Sequence, residues 1–397
     1  MTLRNLSAGA RRVSRRTAAT IAAGAAVVVI AGGSAIAVAE SHHGSQTAAH
    51  SAARSARLTS TSCHGPAGAA YVADAGFDGF TAVNTANCQA IQTYNVGDTQ
   101  VPDDPGDLNF SSTNEGVVLH GSTLYFADTG NSTVAIINTK VLNPKNFTPP
   151  EKLIKVGLFP QDLAVTPNGK QVWVAETGPQ TSASAPSAIS VISTATDKVI
   201  ARMKLTGQPS DIAFSSSGAQ AYVATMKGLA VFNTRTMSQT TLVRGFGSTR
   251  TVAPGPGGKN VYVTDPTRNQ LVVLSASTLK IIRTIRTGEL PWQVLVSRTG
   301  GTVYVTDTNS NAVSVINASA GKVTRTFSVN GTPDTLGLTP DGRELWVGQN
   351  AAAEVTVINT ATGAKVRTVN LGGTKPQSAD GLEPTGIVLT RTPTAGS

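Results

Sequence analysis

A 23-residue phrase occurs twice in this chain, 42 residues apart, and it limits the possible folds more than any other feature. The copies are "KNVYVTDPTRNQLVVLSASTLKI" (259–281) and "GTVYVTDTNSNAVSVINASAGKV" (301–323). The aromatic residue near the start of each copy recurs at spacings of 54, 48, 49, 40, 42 and 42 residues. The seven positions are Tyr71, Tyr125, Trp173, Tyr222, Tyr262, Tyr304 and Trp346. A period of this length indicates one structural unit that is built repeatedly.

Each repeat contains the same four apolar segments in the same order. A run such as "DLAVTPNGK" ends in a turn with glycine, and "VYVTD", "AVSVIN" and "KVTRTFSV" or their relatives follow. Apolar–polar alternation and many β-branched residues predict that all four are strands. A four-stranded antiparallel sheet cannot bury both faces alone, whereas a ring of such sheets covers each face with a neighbour. The sequence therefore predicts an all-β fold, a seven-bladed β-propeller with four-stranded blades.

The two ends of the repeat region predict how the ring closes. The first recognisable strand, "AAYVAD", corresponds to the second strand of the other repeats, and the missing innermost strand is "PTGIVLT" at 384–390. We expect this C-terminal strand to complete the first blade, which would keep both ends of the ring in one sheet. The propeller is therefore placed at residues 67–390, with a C-terminal tail at 391–397.

Several phrases carry a family resemblance. "YVTD", "VSVINASAGKV", "VTVINTATGAKV" and "LTPDGRELWV" resemble the YVTN family of seven-bladed propeller repeats, and the resemblance covers about residues 67–390. It implies an exported or surface protein related to lactonase-like and surface-layer propellers. Because such propellers bind and catalyse many things, the resemblance implies a fold rather than an activity.

Residues 1–39 are predicted to be a targeting segment. A basic region ending at Arg16 is followed by 23 uncharged residues (17–39), and Ala37-Val38-Ala39 supplies the small residues that a signal peptidase requires. The uncharged stretch is also long enough to span a bilayer, so a cleaved signal peptide and a retained membrane anchor both stay open. In either case we expect the rest to be exported, as a secreted or cell-surface protein. Residues 40–66 are small and polar, which predicts a flexible linker.

The formal net charge of +9 does not indicate a nucleic-acid partner. Five arginines lie in residues 1–39, where there is no acidic residue, and the remainder holds 27 basic and 23 acidic residues. No run of lysine or arginine follows. We therefore expect no nucleic acid as a partner, and membrane contact only through residues 17–39 if they are retained.

Irregular sequence is concentrated at one end of the predicted ring. The loops before each innermost strand and after each "YVTD" segment share one face, here called the top face. Three insertions fall there (97–115, 178–187 and 372–384), and only 142–151 falls on the opposite, bottom face. Binding residues concentrate on such loops. The candidate ligand-binding residues stand at the starts of innermost strands: Phe159, Asp162, Asp211, Arg250, Trp292, Gln293 and Asp334.

The chemistry of these residues leaves two interpretations open. Aromatic rings beside carboxylates and an arginine suit a sugar, a peptide or a cell-wall fragment. However, an aspartate in "PQD" or "PSD" can cap its own loop, and Trp292 can pack between blades.

Acidic residues also occur in two sets that invite a metal-ion interpretation. One set lies three residues after the repeated aromatics, and we interpret it as Asx-turn capping: Asp74, Asp128, Glu176, Asp265 and Asp307. The other set lies in one loop, where Asp103, Asp104 and Asp107 are weak calcium candidates, since their spacing is not that of an EF-hand. No metal site is therefore assigned. No cofactor is expected, because the chain has neither a haem-attachment motif nor a phosphate-binding glycine loop.

Catalytic constellations are missing from the predicted top face. Beyond residue 62 the histidines are His64 and His120, and His120 falls near a bottom turn, so no Ser-His-Asp or Cys-His arrangement can be built. The first hypothesis is an exported, non-enzymatic propeller that binds a small molecule, glycan or protein at the cell envelope through its top face. The alternatives are a lactonase-like hydrolase, which would use Asp162, Asp211, Asp334 and Arg250, and a structural surface-layer or adhesion protein.

The two cysteines, Cys63 and Cys88, are predicted to form a disulfide. An exported protein with an even cysteine count usually pairs them, and both cysteines fall at the bottom of the first blade. The bridge would close a loop of about 25 residues, worth about 3–4 kcal/mol in the chain-entropy model. Intact-mass measurement of protein from an oxidising compartment checks this. Alkylation of both thiols without prior reduction would show that the bridge is absent.

Overall fold

The structure is a computed structural model that describes residues 27–31, 34–38, 69–74, 79–86, 88–95, 116–129, 131–142, 152–178, 187–352, 354–371 and 384–389. Within these residues the chain forms seven four-stranded antiparallel sheets, arranged as the blades of a ring. The predicted seven-bladed β-propeller is confirmed.

The strands follow the chain in blade order, and β1 (Val27–Ala31) and β2 (Ser34–Val38) pair with each other. Blade 1 contains β3 (Ala69–Asp74), β4 (Gly79–Asn84) and β5 (Gln89–Asn95), and blade 2 contains β6 (Val117–His120), β7 (Thr123–Asp128), β8 (Thr133–Asn138) and β9 (Lys152–Lys155). Blade 3 contains β10 (Pro160–Val165), β11 (Gln171–Glu176), β12 (Ala188–Ser193) and β13 (Lys198–Lys204). Blade 4 contains β14 (Pro209–Phe214), β15 (Gln220–Thr225), β16 (Gly228–Asn233) and β17 (Ser238–Val243).

The remaining blades continue the pattern. Blade 5 contains β18 (Val252–Pro254), β19 (Asn260–Asp265), β20 (Gln270–Ser275) and β21 (Ile281–Arg286), and blade 6 contains β22 (Pro291–Val296), β23 (Thr302–Asp307), β24 (Ala312–Asn317) and β25 (Lys322–Ser328). Blade 7 contains β26 (Pro333–Leu338), β27 (Glu344–Gln349), β28 (Glu354–Asn359) and β29 (Lys365–Asn370), and β30 (Pro384–Leu389) belongs to blade 1. Three short 3₁₀ helices cover Pro266–Arg268, Thr308–Ser310 and Asn350–Ala352.

The repeated aromatic residues form the core between blades. Each lies in the second strand of its blade and is at most 5% exposed. Trp173 of blade 3, for example, meets Phe214 and Phe232 of blade 4 edge-on, with ring centroids 5.4 and 6.1 Å apart. Such pairs contribute about 0.5–1.5 kcal/mol beyond area burial. Each of the seven apolar clusters likewise combines residues of two consecutive blades, so every blade depends on its neighbours for burial.

The hairpins between the first and second strands confirm the predicted need for glycine. One glycine in each of six such turns has φ between 62° and 75°, a left-handed conformation that side chains rarely adopt. These residues are Gly121, Gly169, Gly218, Gly258, Gly300 and Gly342.

The ring closes as the strand count predicts. β30 pairs antiparallel with β3, with Val388 opposite Tyr71 and Ile387 opposite Val72. Ile387 also packs against blade 7, where a Cβ on Gly337 would lie 2.6 Å from its Cγ2. The last described strand therefore supplies both the innermost strand of blade 1 and one wall of the contact with blade 7.

The predicted targeting segment contains the β1–β2 pair, in which Val28 lies opposite Ala37. None of the helices in the described residues is long and apolar enough to cross a membrane. Residues 40–66, the predicted linker, lie outside the described residues. Export of the chain stays a prediction.

Cys88 occupies the turn between β4 and β5. Its side chain is completely buried and its φ is 53°, at a turn position that is glycine in blades 6 and 7 (Gly321 and Gly363). Cys63 lies outside the described residues, so the pairing of the two cysteines stays a prediction.

Removing residues 384–397 should prevent cooperative folding. The deletion exposes the hydrogen-bonding edge of β3 and one face of blade 7, and unpaired edges favour aggregation. We expect calorimetry to show a broad, weak transition and size-exclusion chromatography to show aggregates. A chain that ends at Leu389 keeps β30 and serves as the control, which should melt like the full chain. If the longer deletion also melts like the full chain, β30 does not close the ring.

Candidate functional site

The innermost strands of blades 1, 3, 4, 6 and 7 each contain a β-bulge directly after their first residue, a proline; in blade 1 the extra residue is Thr385. A bulge bends the strand and re-aims side chains, and bulges are common beside functional sites. The bulges lie at the top ends of the strands that surround the central channel. The residues of the other four bulges are Gln161, Ser210, Trp292 with Gln293, and Asp334.

Side chains next to these bulges connect each blade to the following one. In four successive contacts, a side-chain oxygen of one innermost strand accepts a backbone N–H of the next innermost strand. We call these four bonds the inter-blade clasp. They run from Ile212 N to Asp162 Oδ2 (3.1 Å), from Val252 N to Asp211 Oδ2 (2.6 Å), from Val294 N to Thr251 Oγ1 (3.0 Å) and from Leu336 N to Gln293 Oε1.

The sequence left two roles open for these aspartates, ligand binding and capping of their own loops, and the clasp bears on the second role only. Asp162 and Asp211 bond to the next blade, not to their own loops, although Asp211 Oδ1 also accepts its neighbouring Ile212 N–H at 2.9 Å. Bonds to a charged acceptor contribute about 1.5–3 kcal/mol each. These carboxyls are therefore part of the ring's structure, whatever else they do.

Asp162 and Asp211 form a carboxyl pair. Their oxygens lie 3.1 and 2.9 Å from the same Ile212 nitrogen, so the two groups are side by side. Burial raises the pKa of Asp162. Burial, followed by the adjacent charge of Asp162, raises the pKa of Asp211 well above its usual range. Because ionisation of one carboxyl disfavours ionisation of the other at this distance, the two groups titrate as a unit.

Arg250 lies beside this pair, two residues before the start of β18. Its guanidinium carbon stands 3.9 Å from the ring centroid of Trp292, a cation–π contact. Burial lowers the pKa of Arg250 to about 10, and Asp211, Asp334 and Asp162 oppose that shift by attraction. The arginine therefore stays charged at neutral pH.

Besides the hydroxyl of Thr335, two buried side-chain N–H donors in this region have no hydrogen-bond partner among the described residues. They are Arg250 Nε and Gln161 Nε2. Unpaired buried donors are rare in native proteins, and each one calls for an explanation such as a bound ligand or water. An N–H left unpaired in a buried position costs about 1–3 kcal/mol.

The structure thus brings five of the seven predicted residues to one region. Asp162, Asp211, Arg250, Trp292 and Asp334 are joined through the interactions of Arg250. Gln293 belongs to the clasp, and Asp334 accepts a hydrogen bond from Asn350 at 3.3 Å.

Phe159 has a different place. It stands in the loop before β10 with φ 53°, and its carbonyl oxygen accepts the Thr177 N–H at 3.1 Å. No ring contact or hydrogen bond joins its side chain to Arg250 or Trp292 in the part of the chain that the structure describes. Its membership of the site stays a prediction.

The acidic residues that follow the repeated aromatics do not share one role. The interpretation as Asx turns is correct for Asp128, whose carboxylate accepts the Asn131 N–H at 3.0 Å and the Thr133 hydroxyl at 3.1 Å. The side chain of Asp74 lies outside the described residues.

For Glu176 and Asp265 the turn interpretation is wrong. Glu176 Oε1 accepts the N–H of Gly157 at 2.7 Å, and Asp265 Oδ2 accepts that of Gly247 at 2.8 Å. Both glycines belong to loops that arrive from the preceding blade, and a Cβ on Gly157 would lie 2.0 Å from Glu176 Oε2. The 3₁₀ helix after Asp265 receives no side-chain cap. These carboxylates therefore fix the loops between blades.

Asp307 also lies against a glycine of the loop from the preceding blade, since a Cβ on Gly288 would lie 2.8 Å from its Oδ2, and it makes a further contact within its own blade. Its Oδ2 accepts the hydroxyl of Ser314, on the adjacent strand β24, at 2.5 Å. The 3₁₀ helix that follows Asp307 receives no side-chain cap. This carboxyl therefore connects two strands of blade 6, and burial raises its pKa.

Metal binding gains no support. The calcium candidates Asp103, Asp104 and Asp107 lie outside the described residues. Among the described residues, no group of three or more histidine, cysteine, aspartate or glutamate side chains is arranged to hold a metal ion.

Comparison with known proteins supports the propeller fold and identifies no activity. No protein-family model and no curated protein matches the sequence. Hydrazine synthase of Kuenenia stuttgartiensis is 17% identical with a TM-score of 0.59, over 74% of this chain and 99% of that chain. A functionally unknown protein from Desulfotomaculum acetoxidans DSM 771 is 16% identical with a TM-score of 0.59, over 81% and 98%. Dihydro-heme d1 dehydrogenase NirN in complex with DHE is 13% identical with a TM-score of 0.57, over 81% and 75%. Identities this low show a shared propeller fold alone.

Replacing Asp211 by asparagine should weaken the pH dependence of stability. A carboxyl whose pKa is raised by folding binds its proton more tightly in the native state, so its stabilising contribution is complete below the unfolded pKa of about 3.9. That contribution is lost as the pH rises through the folded pKa. The introduced amide does not ionise, and its NH2 group would replace one of the two oxygens that accept the N–H groups of Ile212 and Val252, so the variant should be less stable overall but should have a flatter pH profile. We expect wild-type melting temperature to fall by a few degrees more than that of Asp211→Asn between pH 4 and 8.

Asp341→Asn, at an exposed bottom turn, is the matched control and should keep the wild-type pH profile. Parallel profiles for wild type and Asp211→Asn would mean that folding does not raise the pKa of Asp211.

Proposed function

We propose that this protein is an exported, non-enzymatic β-propeller that binds a small polyhydroxylated ligand, such as a sugar, at the top of its central channel. The observation that carries the proposal is the pair of buried donors, Arg250 Nε and Gln161 Nε2, that lack a partner among the described residues. Both stand at the top ends of innermost strands. A ligand or an ordered water that accepts a hydrogen bond there would satisfy either group.

The charges around Arg250 favour a ligand that can both donate and accept hydrogen bonds. Asp162, Asp211 and Asp334 surround the single positive charge, so an anionic ligand would meet repulsion. A sugar hydroxyl can accept from the guanidinium and donate to a carboxylate at the same time. Trp292, half-buried, adds an aromatic surface of the kind that pockets use to orient ligands.

Export rests on the basic leader, the uncharged segment and the Ala37-Val38-Ala39 cleavage pattern. The resemblance of the repeats to the YVTN family agrees with a place at the cell envelope. The targeting signal, the disulfide and the family assignment are parts of the proposal that sequence supports.

One observation favours the lactonase-like hydrolase as the second candidate. The coupled pair of Asp162 and Asp211 resembles the paired carboxyls that serve as general acid and base in some hydrolases. Against it, three of the four oxygens of this pair are already hydrogen-bonded to backbone N–H groups. An acid or base held in this way is restricted in reaching a substrate.

Arg250→Met should abolish ligand binding, and because it also removes the positive charge that faces three buried carboxyls, its melting temperature should fall. Binding is therefore compared at a temperature at which wild type and variant are both folded. Methionine keeps an apolar chain against Trp292 but removes the donors, so a screen against glycans and lactones should show glycan binding by wild type and none by the variant. Trp292→Ala should also lose binding. Arg298→Ala, exposed on a bottom hairpin, is the control and should bind like wild type.

Two outcomes would contradict the proposal. Turnover of a lactone that disappears in Asp211→Asn would establish the hydrolase. If Trp292→Ala loses about 3–5 kcal/mol of stability and still binds glycan, Trp292 is a packing residue and not part of the binding site.

A further inference from the structure

The outermost strands of the propeller carry charges of one sign. None of the seven outermost strands contains aspartate or glutamate, whereas five of them contain lysine or arginine. Elsewhere in residues 67–390 acidic residues outnumber basic ones by 22 to 13. The bias is thus a property of the rim and not of the whole composition.

The basic side chains without an ion-pair partner among the described residues are most numerous on three consecutive blades. Blades 5, 6 and 7 carry six exposed basic side chains on or next to their outer strands, and β21 contacts β25 directly. None of the six forms an ion pair with an acidic residue that the structure describes. We call this group the basic rim: Lys280, Arg283, Arg286, Lys322, Arg325 and Lys365.

Two of the rim arginines are held in place by the next blade. Arg283 Nη1 donates to the carbonyl oxygen of Ser319 at 3.4 Å, and Arg325 Nη1 donates to that of Ala361 at 2.6 Å. Arg325 also lies 5.0 Å over the ring of Phe327. Carbonyl partners fix a guanidinium without neutralising it, so these two positive charges are preorganised on the surface.

Protection of sheet edges does not explain the rim. Charged residues on an outer strand, lysine above all, prevent edge-to-edge pairing, but that purpose does not require three arginines, two of them anchored to the next blade. A β-bulge already disrupts the outer strand in each of blades 5, 6 and 7. The use of basic residues alone therefore indicates that the rim attracts a partner of opposite charge, and a polyanion is the complementary partner.

The shape of the rim selects a flexible linear partner. Seven blades turn by about 50° each, so three consecutive blades present a strongly convex surface. A flat anionic membrane would reach the outer strand of one blade at a time, whereas a flexible chain can follow all three. We propose that the basic rim binds a linear acidic polysaccharide, independently of the ligand at the top of the channel.

The test compares two variants of the full-length protein with equal loss of charge. The rim variant carries Lys280→Gln, Arg286→Gln, Lys322→Gln and Lys365→Gln, and it keeps the two arginines that contact the next blade. The control variant carries Lys170→Gln, Lys259→Gln, Arg298→Gln and Arg343→Gln, all exposed in bottom hairpins. Immobilised polygalacturonate is the probe, neutral dextran is the blank, and binding is measured between about 50 and 200 mM salt. Melting curves verify that both variants fold.

We expect wild type and the control variant to bind polygalacturonate and not dextran. The rim variant should bind at least about tenfold more weakly, and its slope of log K against log salt should be shallower by about 3, which is about 0.7 for each of the four removed cations. No binding by wild type, or equal losses in both variants, would overturn the proposal. Tighter binding of anionic vesicles or duplex DNA than of polygalacturonate through the same four residues would also overturn it.

Discussion

Burial between neighbouring blades is the constraint on which this structure depends. A four-stranded sheet of this length has two apolar faces, and each of the seven apolar clusters is made by two consecutive blades. Edge-to-face contacts such as that of Trp173 with Phe232 exist only across an interface. A single blade removed from the ring would expose both faces to water, so the ring is stable only as a whole.

Hydrogen bonds at the top of the channel also join neighbouring blades, and they determine which polar groups lie there. The clasp takes a side-chain oxygen from one innermost strand and an N–H from the next, which places polar groups in a ring around the channel. Two aspartates in adjacent blades then meet at one N–H, and Arg250 stands beside them. The candidate site is in this sense a specialised part of the interface between blades: its rigidity comes from bonds that the ring requires in any case.

The sequence predicts the fold well because the repeat is a local pattern that recurs, and the order of strands at the two ends reveals the closure. It predicts the site less well. Asp162, Asp211, Arg250 and Trp292 stand out as unusual residues at equivalent positions, yet Thr251 and Gln161 do not, because threonine and glutamine are ordinary on strands. The roles of Glu176 and Asp265 were missed for a physical reason: their partners lie in the loop from the preceding blade, not in the adjacent turn. The recurring separation of 18 or 19 residues between a glycine and the acid, as in Gly247 with Asp265, is a signal that could have found them.

The pairing of β30 with β3 has a consequence for synthesis. The two strands are neighbours in one sheet, but all of blades 2 to 7 lie between them in the chain. During translation β3 has no inner partner, and blade 7 has one uncovered face, until the last strand is made. The entropic cost of closing so long a loop grows only logarithmically, by about 0.6 kcal/mol for each doubling of length. Closure therefore costs little free energy but occurs late. Before the ring closes, the nascent chain must pass through an open arc that exposes the unpaired edge of β3 at one end and an apolar face of blade 7 at the other.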